Sequence, residues 1–448
     1  MQALRIVMIG AGSRSFGPAM VRDVFLSPLL HAQDVELVLM DKAADRLPEI
    51  AGYAGKLNDT LHRRVRIVAT TDVDEALRKA AFVITAIDRQ RELYWSMDFH
   101  VPRNFGFRQV FGENGGPGGL FHALRNMPPM IAIARAMERL CPDAWLLNFS
   151  NPEHKLCEAV SRLTSIRNVG LCHGVFMGLG QMAHILGMKA EDLDAAACGM
   201  NHFTWFQSVR DRRTGEDLYP RLRQAEAEGD WLADWHEIGL GRILFRHFGL
   251  WPSCGANHYG EYIRWAEEFV ASEMQYFYDP ADGHPWETGV VPEFVYSLGG
   301  DKTTRPWRKP ESKPQPFATT DLRPSGELAV PIIEALACGA ARALAAVNVV
   351  NNGAIPNLPA DMVVEVPAAA DVGGIRSCRM EALPEGVAAL LRVQASIQKL
   401  LVEAFAEESR GKLIQAMLLE PTVDSYRRAV ACVDELIRLQ AAVLPPLR

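Results

Sequence analysis

The sequence predicts an α/β protein, a doubly wound parallel sheet in its N-terminal half followed by an α+β unit. Three observations carry that expectation. Short apolar runs alternate with amphipathic stretches from Leu4 to Ser150, the pattern of strands buried on both faces and joined by crossover helices. The alternation is lost beyond Val209, where charged and aromatic segments take over. A chain of 448 residues is also longer than one hydrophobic core usually supports.

In order along the chain, Arg5–Ile9, Val35–Met40, Val65–Ala69, Ala81–Ile87 and Ala144–Phe149 are short apolar runs that read as buried strands. Between them Pro18–Ser27, Ala44–Leu57 and Met130–Leu140 carry helical periodicity. Asn168–Cys172 continues the strand series, with a helix over Leu179–Leu186 and a strand over His202–Val209. Tyr219–His247 is charged and helical, and Gly255–Tyr296 is rich in aromatics. Asp301–Pro316, with Lys302, Arg305, Arg308, Lys309 and Lys313 among prolines, lacks periodicity and reads as an exposed loop. The tail predicts a helix over Leu328–Leu344, a strand over Met362–Val366, and helices near Val387–Ala406 and Thr422–Leu439. No internal repeat of fixed period is present. The two units are expected to divide as 1–195, a nucleotide-binding domain, and 196–448, a catalytic and substrate-binding domain.

Composition narrows the function. With 48% hydrophobic and 23% charged residues, a disordered or low-complexity chain is excluded. A net charge of −7 has the wrong sign for gripping a nucleic-acid backbone, so small molecules are the expected partners. Glu334 and Arg342 interrupt the apolar stretch Ala329–Val350, and no membrane span is expected. Leu4–Gly12 reads as a strand and not as a signal peptide. Eight scattered cysteines suit reduced thiols and a cytoplasmic location.

Ile6–Ser13 ends a strand in a Gly-x-Gly turn that opens a helix, where a pyrophosphate can rest on N-terminal amides. Gly10 would make the tight turn, Gly12 would let the backbone approach the phosphate, and Ser13 follows. The usual third glycine is replaced by Ser15, with Gly17 two positions late. Val35–Met40 then ends in Asp41, an acid placed to bind a ribose 2′-hydroxyl and repel a 2′-phosphate. These features predict a Rossmann-type domain that prefers NAD to NADP.

Three further segments end or flank strands where ligands bind in open α/β sheets: Leu147–Pro152 with Asn151, Gly170–Gly174 with Cys172 and His173, and Gly199–His202. A thiolate and an imidazole from Cys172 and His202 would suit a divalent transition metal, although Mn²⁺ is hard for a sulfur ligand. Either residue alone is a weak signal, since cysteine is among the commonest buried residues and an isolated histidine is more often a core side chain. A fourth segment, Asn257–Tyr262, adds His258, Tyr259 and Tyr262.

The combination resembles glycoside hydrolase family 4, the NAD- and divalent-metal-dependent glycosidases. It spans nearly the whole chain: Gly10–Ser13, Gly115–Gly119, Asn151-Pro152, Cys172-His173-Gly174, Asn201-His202, His258–Tyr262, Ile355–Pro359 and Val363–Pro367. The resemblance implies a lactate/malate dehydrogenase-like architecture and a homo-oligomer, dimer or tetramer. It implies that Cys172 and His202 hold the metal, Mn²⁺ or another divalent ion. Asn151 would contact cofactor and substrate hydroxyls, with Asn201 and His258 as further substrate contacts. Tyr262 would be the base, its pKa lowered by the nearby cation, with Tyr259 in reserve; His173 or Glu113 would be the general acid. The implied route is oxidation at C3 by NAD, C2 deprotonation, elimination of the leaving group, water addition and return of the hydride.

Relatives acting on 6-phospho-α-glucosides carry aspartate after the cysteine, and 6-phospho-β-glucosidases asparagine; this chain has His173. Cys-His-Gly is similar to the branch acting on unphosphorylated α-glucosides and α-glucuronides, with α-galactosides and α-galacturonides as alternatives. Glu113-Asn114 stands where relatives often have Asp-Thr. Arg103, Arg108, Arg125 and Arg264 lie near the motifs and could pair with a C6 carboxylate. Two other classes fit the nucleotide turn: an NAD-dependent dehydrogenase of a hydroxy acid or polyol, and a non-catalytic NAD-dependent sugar-binding regulator. No basic helix-turn-helix supports the regulator.

Overall fold

In the computed structural model, residues 3–13, 16–229, 239–266, 317 and 322–448 are described. Among them β1 (Leu4–Ile9), β2 (Val35–Met40), β3 (Arg66–Thr70), β4 (Phe82–Thr85), β5 (Trp145–Asn148) and β6 (Arg167–Gly170) pair in parallel in the order β3-β2-β1-β4-β5-β6. This is the doubly wound dinucleotide-binding order, which reverses direction between β1 and β4. The strands sit within a residue or two of their predicted limits because runs such as Val35–Met40, buried at every position, leave no other use for so much apolar surface.

The sheet continues into the second half. β7 (Leu193–Met200), β8 (Phe203–Asp211), β9 (Trp251–Pro252), β10 (Arg342–Val350), β11 (Val363–Asp371) and β12 (Gly374–Ser377) extend it antiparallel, with β10 and β11 lying between β6 and β7. The helices Glu385–Ala406, Arg410–Leu419 and Tyr426–Leu439 return to the N-terminal half, so Leu401, Met417 and Leu436 share a buried core with Val7, Val38 and Leu124. The opposite face packs Gly17–Leu26, Leu47–Thr60 and Ala329–Cys338 over Ile6, Leu37 and Leu147.

Several boundaries differ from expectation. The helix predicted at Met130–Leu140 begins at Gly116; Pro128 and Pro129 within it read as a stop, and its first turns are buried all round, which hides the period. The helix predicted over Leu328–Leu344 ends at Cys338 on Gly339, whose φ of 76° supplies a left-handed stop, and the remainder belongs to β10. The helices Arg91–Asn104 and Arg410–Leu419 and the strands β7 and β12 were not predicted; β7 is alanine-rich, and Arg91–Asn104 contains Pro102. The predicted loop Asp301–Pro316, residues 267–296 of the aromatic stretch and 230–238 of the charged one lie outside the described residues. No disulfide joins the eight cysteines, and no helix among the described residues is long and apolar enough to cross a membrane.

Candidate active site

The glycine turn is built as its spacing suggests. Gly10 has a φ of 85°, and a Cβ there would lie 2.2 Å from the Ala86 carbonyl oxygen, a contact that only glycine allows. Asp41 accepts the Gly12 and Ala43 amides at 2.9 Å each, locking the turn to the end of β2. Ser13 Oγ accepts the Phe16 amide at 3.3 Å. Gly17 takes over the packing duty of the missing third glycine: a Cβ there would come 2.4 Å from the Ala11 carbonyl oxygen. These residues fit a dinucleotide.

Beside the turn lies a cavity of about 350 Å³ at the C-terminal edge of the parallel strands. Phe16 comes from the turn, Phe149 and Asn151 from the end of β5, and Cys172 and His173 from the end of β6. His202 enters from the β7–β8 hairpin, where its φ is 61°. Cys254 and His258 follow β9, and Arg91, Trp95, Phe111 and Glu113 close the opposite wall. Six of the residues singled out in the sequence therefore meet here: Glu113, Asn151, Cys172, His173, His202 and His258.

The wall is electrostatically ordered. Glu113 is buried, which alone would raise its pKa, yet the Arg91 guanidinium at 2.5 Å pulls it down to about 2. Asn151 Nδ2 donates to the same carboxylate at 3.3 Å. Arg91 also pairs with Asp88 at 3.2 Å. His173 Nδ1 donates to Glu327 Oε1 at 2.8 Å, and that bond raises the imidazole pKa. Burial, with His258 alongside, pushes the His202 pKa well down, and burial lowers that of His258. Burial pushes the Cys172 and Cys254 thiols up.

The atoms His202, Cys254 and His258 can offer to a metal all lie within 4.8 Å of one another. Imidazole and thiol donors, with the buried His202 Nδ1 left unpartnered, fit a divalent transition metal. Cys172 lines the same cavity but falls outside this group. Asn201 does not line the cavity; its amide is buried behind it, beside Cys172 and Glu365, with neither amide atom hydrogen-bonded.

Tyr262 also lies one layer behind the lining residues. It is 1% exposed and stacks on Phe203 at 5.1 Å, and its hydroxyl has no hydrogen-bond partner. Burial and then Glu261 push its pKa well up. Tyr259 points elsewhere, toward Gly241 on the helix Gly239–Phe248, where a Cβ would meet its hydroxyl at 2.7 Å.

Sequence reasoning missed Cys254, Glu261, Glu327 and Arg91. Cys254 and His258 are four residues apart, a usable ligand signal. Glu261 sits inside the quoted Asn257–Tyr262 segment; its carboxylate accepts the Glu113 and Asn114 amides at 2.6 and 3.0 Å and shapes the acid's loop. Glu327 carries no local signal, since it reaches His173 across 154 residues only through the fold.

Residues 5–188 match the model of family 4 glycosyl hydrolases, and residues 197–423 match that of the family 4 glycosyl hydrolase C-terminal domain. An α-glucosidase of Erwinia rhapontici is 30% identical, covering 98% of each chain. An α-galactosidase of Bacillus subtilis is 30% identical, over 98% of this chain and 99% of its own. The fold is shared with a 6-phospho-α-glucosidase from gut microorganisms solved with NAD and Mn²⁺, at 24% identity, full coverage of both chains and a TM-score of 0.78. It is shared more distantly with malate dehydrogenase from Plasmodium falciparum, at 12% identity over 90% of this chain and 99% of that one, with a TM-score of 0.52. The chain belongs to family 4 of the glycosyl hydrolases.

Proposed function

We propose that the protein hydrolyses α-glycosides of unphosphorylated hexoses, α-glucosides foremost, by an NAD- and divalent-metal-dependent elimination and water addition. The observation that carries this reading is a single cavity joining the nucleotide turn, through Phe16 and Asn151, to the thiol and imidazole cluster of Cys172, His202 and His258. The α-glucosidase and α-galactosidase relatives, and the neighbour solved with NAD and Mn²⁺, support the same reaction class.

When bound, NAD takes up and returns a hydride and the metal polarises neighbouring sugar oxygens. The chain's own residues do the rest. Gly10, Gly12, Ser13 and Asp41 hold the dinucleotide, and Cys172 and His202 face the metal. Asn151 orients the sugar hydroxyls; His258, which the resemblance implies as a substrate contact, lies 4.2 Å from His202, ring centre to ring centre, and joins the imidazole cluster, while Asn201 packs behind Cys172. Tyr262, one layer behind the lining residues, would take the C2 proton where a bound cation offsets the burial that raises its pKa, and His173, fixed by Glu327, delivers a proton to the departing oxygen. Glu113, held as a carboxylate by Arg91, orients Asn151 and is not the proton donor.

The lining also speaks to the sugar. Glu113 and Glu327 are carboxylates on the cavity wall, and the lining Arg91 is engaged by Glu113 and Asp88. Arg125 is buried against Asp98, Arg103 donates to the Gln109 carbonyl, and Arg108 and Arg264 are exposed outside the cavity. A neutral hexose therefore suits the described wall better than a uronate or a 6-phosphate; α-galactosides are the alternative at C4, and α-glucuronides and α-galacturonides at C6. Free thiols favour a cytoplasmic location, and we expect a dimer or tetramer.

The test is a panel of p-nitrophenyl α-glycosides with NAD, Mn²⁺ and a thiol. We expect release of p-nitrophenol from the α-glucoside, lost with EDTA or without NAD, and no accumulation of NADH. Stoichiometric NADH would instead mark a dehydrogenase, cofactor binding without turnover a regulator, and preference for the 6-phosphate would refute the assigned sugar.

A further inference from the structure

We infer that Cys254 and His258 are metal ligands in their own right, completing with His202 a preformed centre that selects a thiophilic divalent ion over Mn²⁺. The inference rests on the metal-dependent reading of the cavity and goes beyond it by naming which side chains hold the ion and of what class.

The first observation is distance. The ligand atoms of His202, Cys254 and His258 lie within 4.8 Å of one another. Donors about one tetrahedral ion are about 3.5 Å apart, given a metal–sulfur bond near 2.3 Å and metal–nitrogen bonds near 2.1 Å. Small side-chain rotations close that gap. The second is the unpartnered His202 Nδ1 on a side chain only 4% exposed. A buried polar atom left without a partner costs about 1–3 kcal/mol, and a metal centre is the function that justifies it.

The third is convergence. His202 comes from the β7–β8 turn and Cys254 from the segment after β9, at φ values of 61° and 81°. The short helix Ala256–Tyr259 then brings His258 within 4.2 Å of His202, ring centre to ring centre. All three side chains open onto the cavity, leaving room for an exchangeable position as in catalytic rather than structural centres.

The donor set decides the ion. Two imidazoles and one thiolate suit Zn²⁺, Co²⁺ or Fe²⁺, whereas Mn²⁺ prefers oxygen. A second sulfur is at hand: a Cβ on Gly174 would lie 3.4 Å from Cys254 Sγ and 3.7 Å from Cys172 Sγ, so the two thiols flank one glycine. Added sulfur shifts the centre further from Mn²⁺.

The experiment titrates Co²⁺ into the full-length, metal-free protein, with NAD present and absent, following the sulfur-to-cobalt charge-transfer absorption. We expect the band in the wild type. Cys254→Ser should weaken both the band and Co²⁺ affinity, the latter by at least about 10–100-fold, the loss typical even for residues that merely orient a ligand. His258→Gln should keep the band and lose affinity similarly, and circular dichroism of the metal-free variants checks their folding. Because Zn²⁺ outcompetes Mn²⁺ at most sites, the selectivity readout is a change in ratio: Cys254→Asp should lower the Zn²⁺/Mn²⁺ affinity ratio at least tenfold. Wild-type band and affinity in a folded Cys254→Ser would overturn the ligand assignment, as would unchanged affinity in His258→Gln. An unchanged ratio in Cys254→Asp would overturn the selectivity. Absence of Co²⁺ binding in the wild type itself would remove the metal-dependent reading and this inference together.

Discussion

At the scale of single residues, the site depends on a few positions where no other side chain serves. Gly10→Ala would combine a left-handed φ of 85° with a Cβ 2.2 Å from a backbone oxygen. The φ alone costs about 1–2 kcal/mol, and the clash must push β1 from the Ala86 loop. Calorimetry should show loss of NAD binding and a lower melting temperature; an unaltered NAD affinity would refute the turn's role. Tyr262→Phe makes the opposite prediction for stability. Its hydroxyl is buried and unpartnered, so deletion should leave the melting temperature unchanged or raised. If Tyr262 is the base, kcat should nevertheless fall roughly 10²–10⁴-fold. A normal kcat would exclude it, and Tyr259, aimed at Gly241, offers no ready substitute.

At the scale of elements, the glycine-rich segment before the long helix Gly116–Leu140 acts by close approach. A Cβ on Gly118 would lie 2.4 Å from the Asp98 carbonyl oxygen, and one on Gly119 2.6 Å from the Asn114 carbonyl carbon. The helix therefore presses on Arg91–Asn104 and on the loop holding Glu113. Gly118→Ala should lower thermal stability by several degrees and displace Glu113, seen as a matching loss in kcat/KM; a silent substitution would contradict this packing. Such elements were only partly legible in the sequence. Buried parallel strands announce themselves because both faces are apolar, and the Gly-x-Gly turn because its glycines sit at fixed offsets. By contrast, Gly116–Leu140 begins without a period, and β7 is too alanine-rich to signal a strand. The site was legible where residues share a local segment, as in Cys172-His173. Across segments it was hidden: Glu327 meets His173, and Cys254 meets His202, only once the sheet edge assembles.

At the scale of the molecule, one sheet and one shared core run through both expected domains. The end of the chain is tied back by a buried network: Arg125 pairs with Asp98 at 2.8 Å, and Gln440 accepts from Arg125 at 2.8 Å and donates to Asp98 at 2.6 Å. Arg125→Met would strand the Asp98 carboxyl in the core, at a cost of roughly 3–5 kcal/mol. Urea unfolding should show that loss in a single transition affecting both halves; separate transitions would contradict the shared core. The same architecture brings the nucleotide turn and the thiol–imidazole cluster to one cavity, and we propose that they act together there in elimination and not in direct displacement. Hydrolysis of p-nitrophenyl α-glucoside in D₂O, with NAD, metal and thiol present, tests this most directly. A base that removes the C2 proton should leave deuterium at C2 of the released glucose, whereas product glucose with only hydrogen at C2 would rule out elimination.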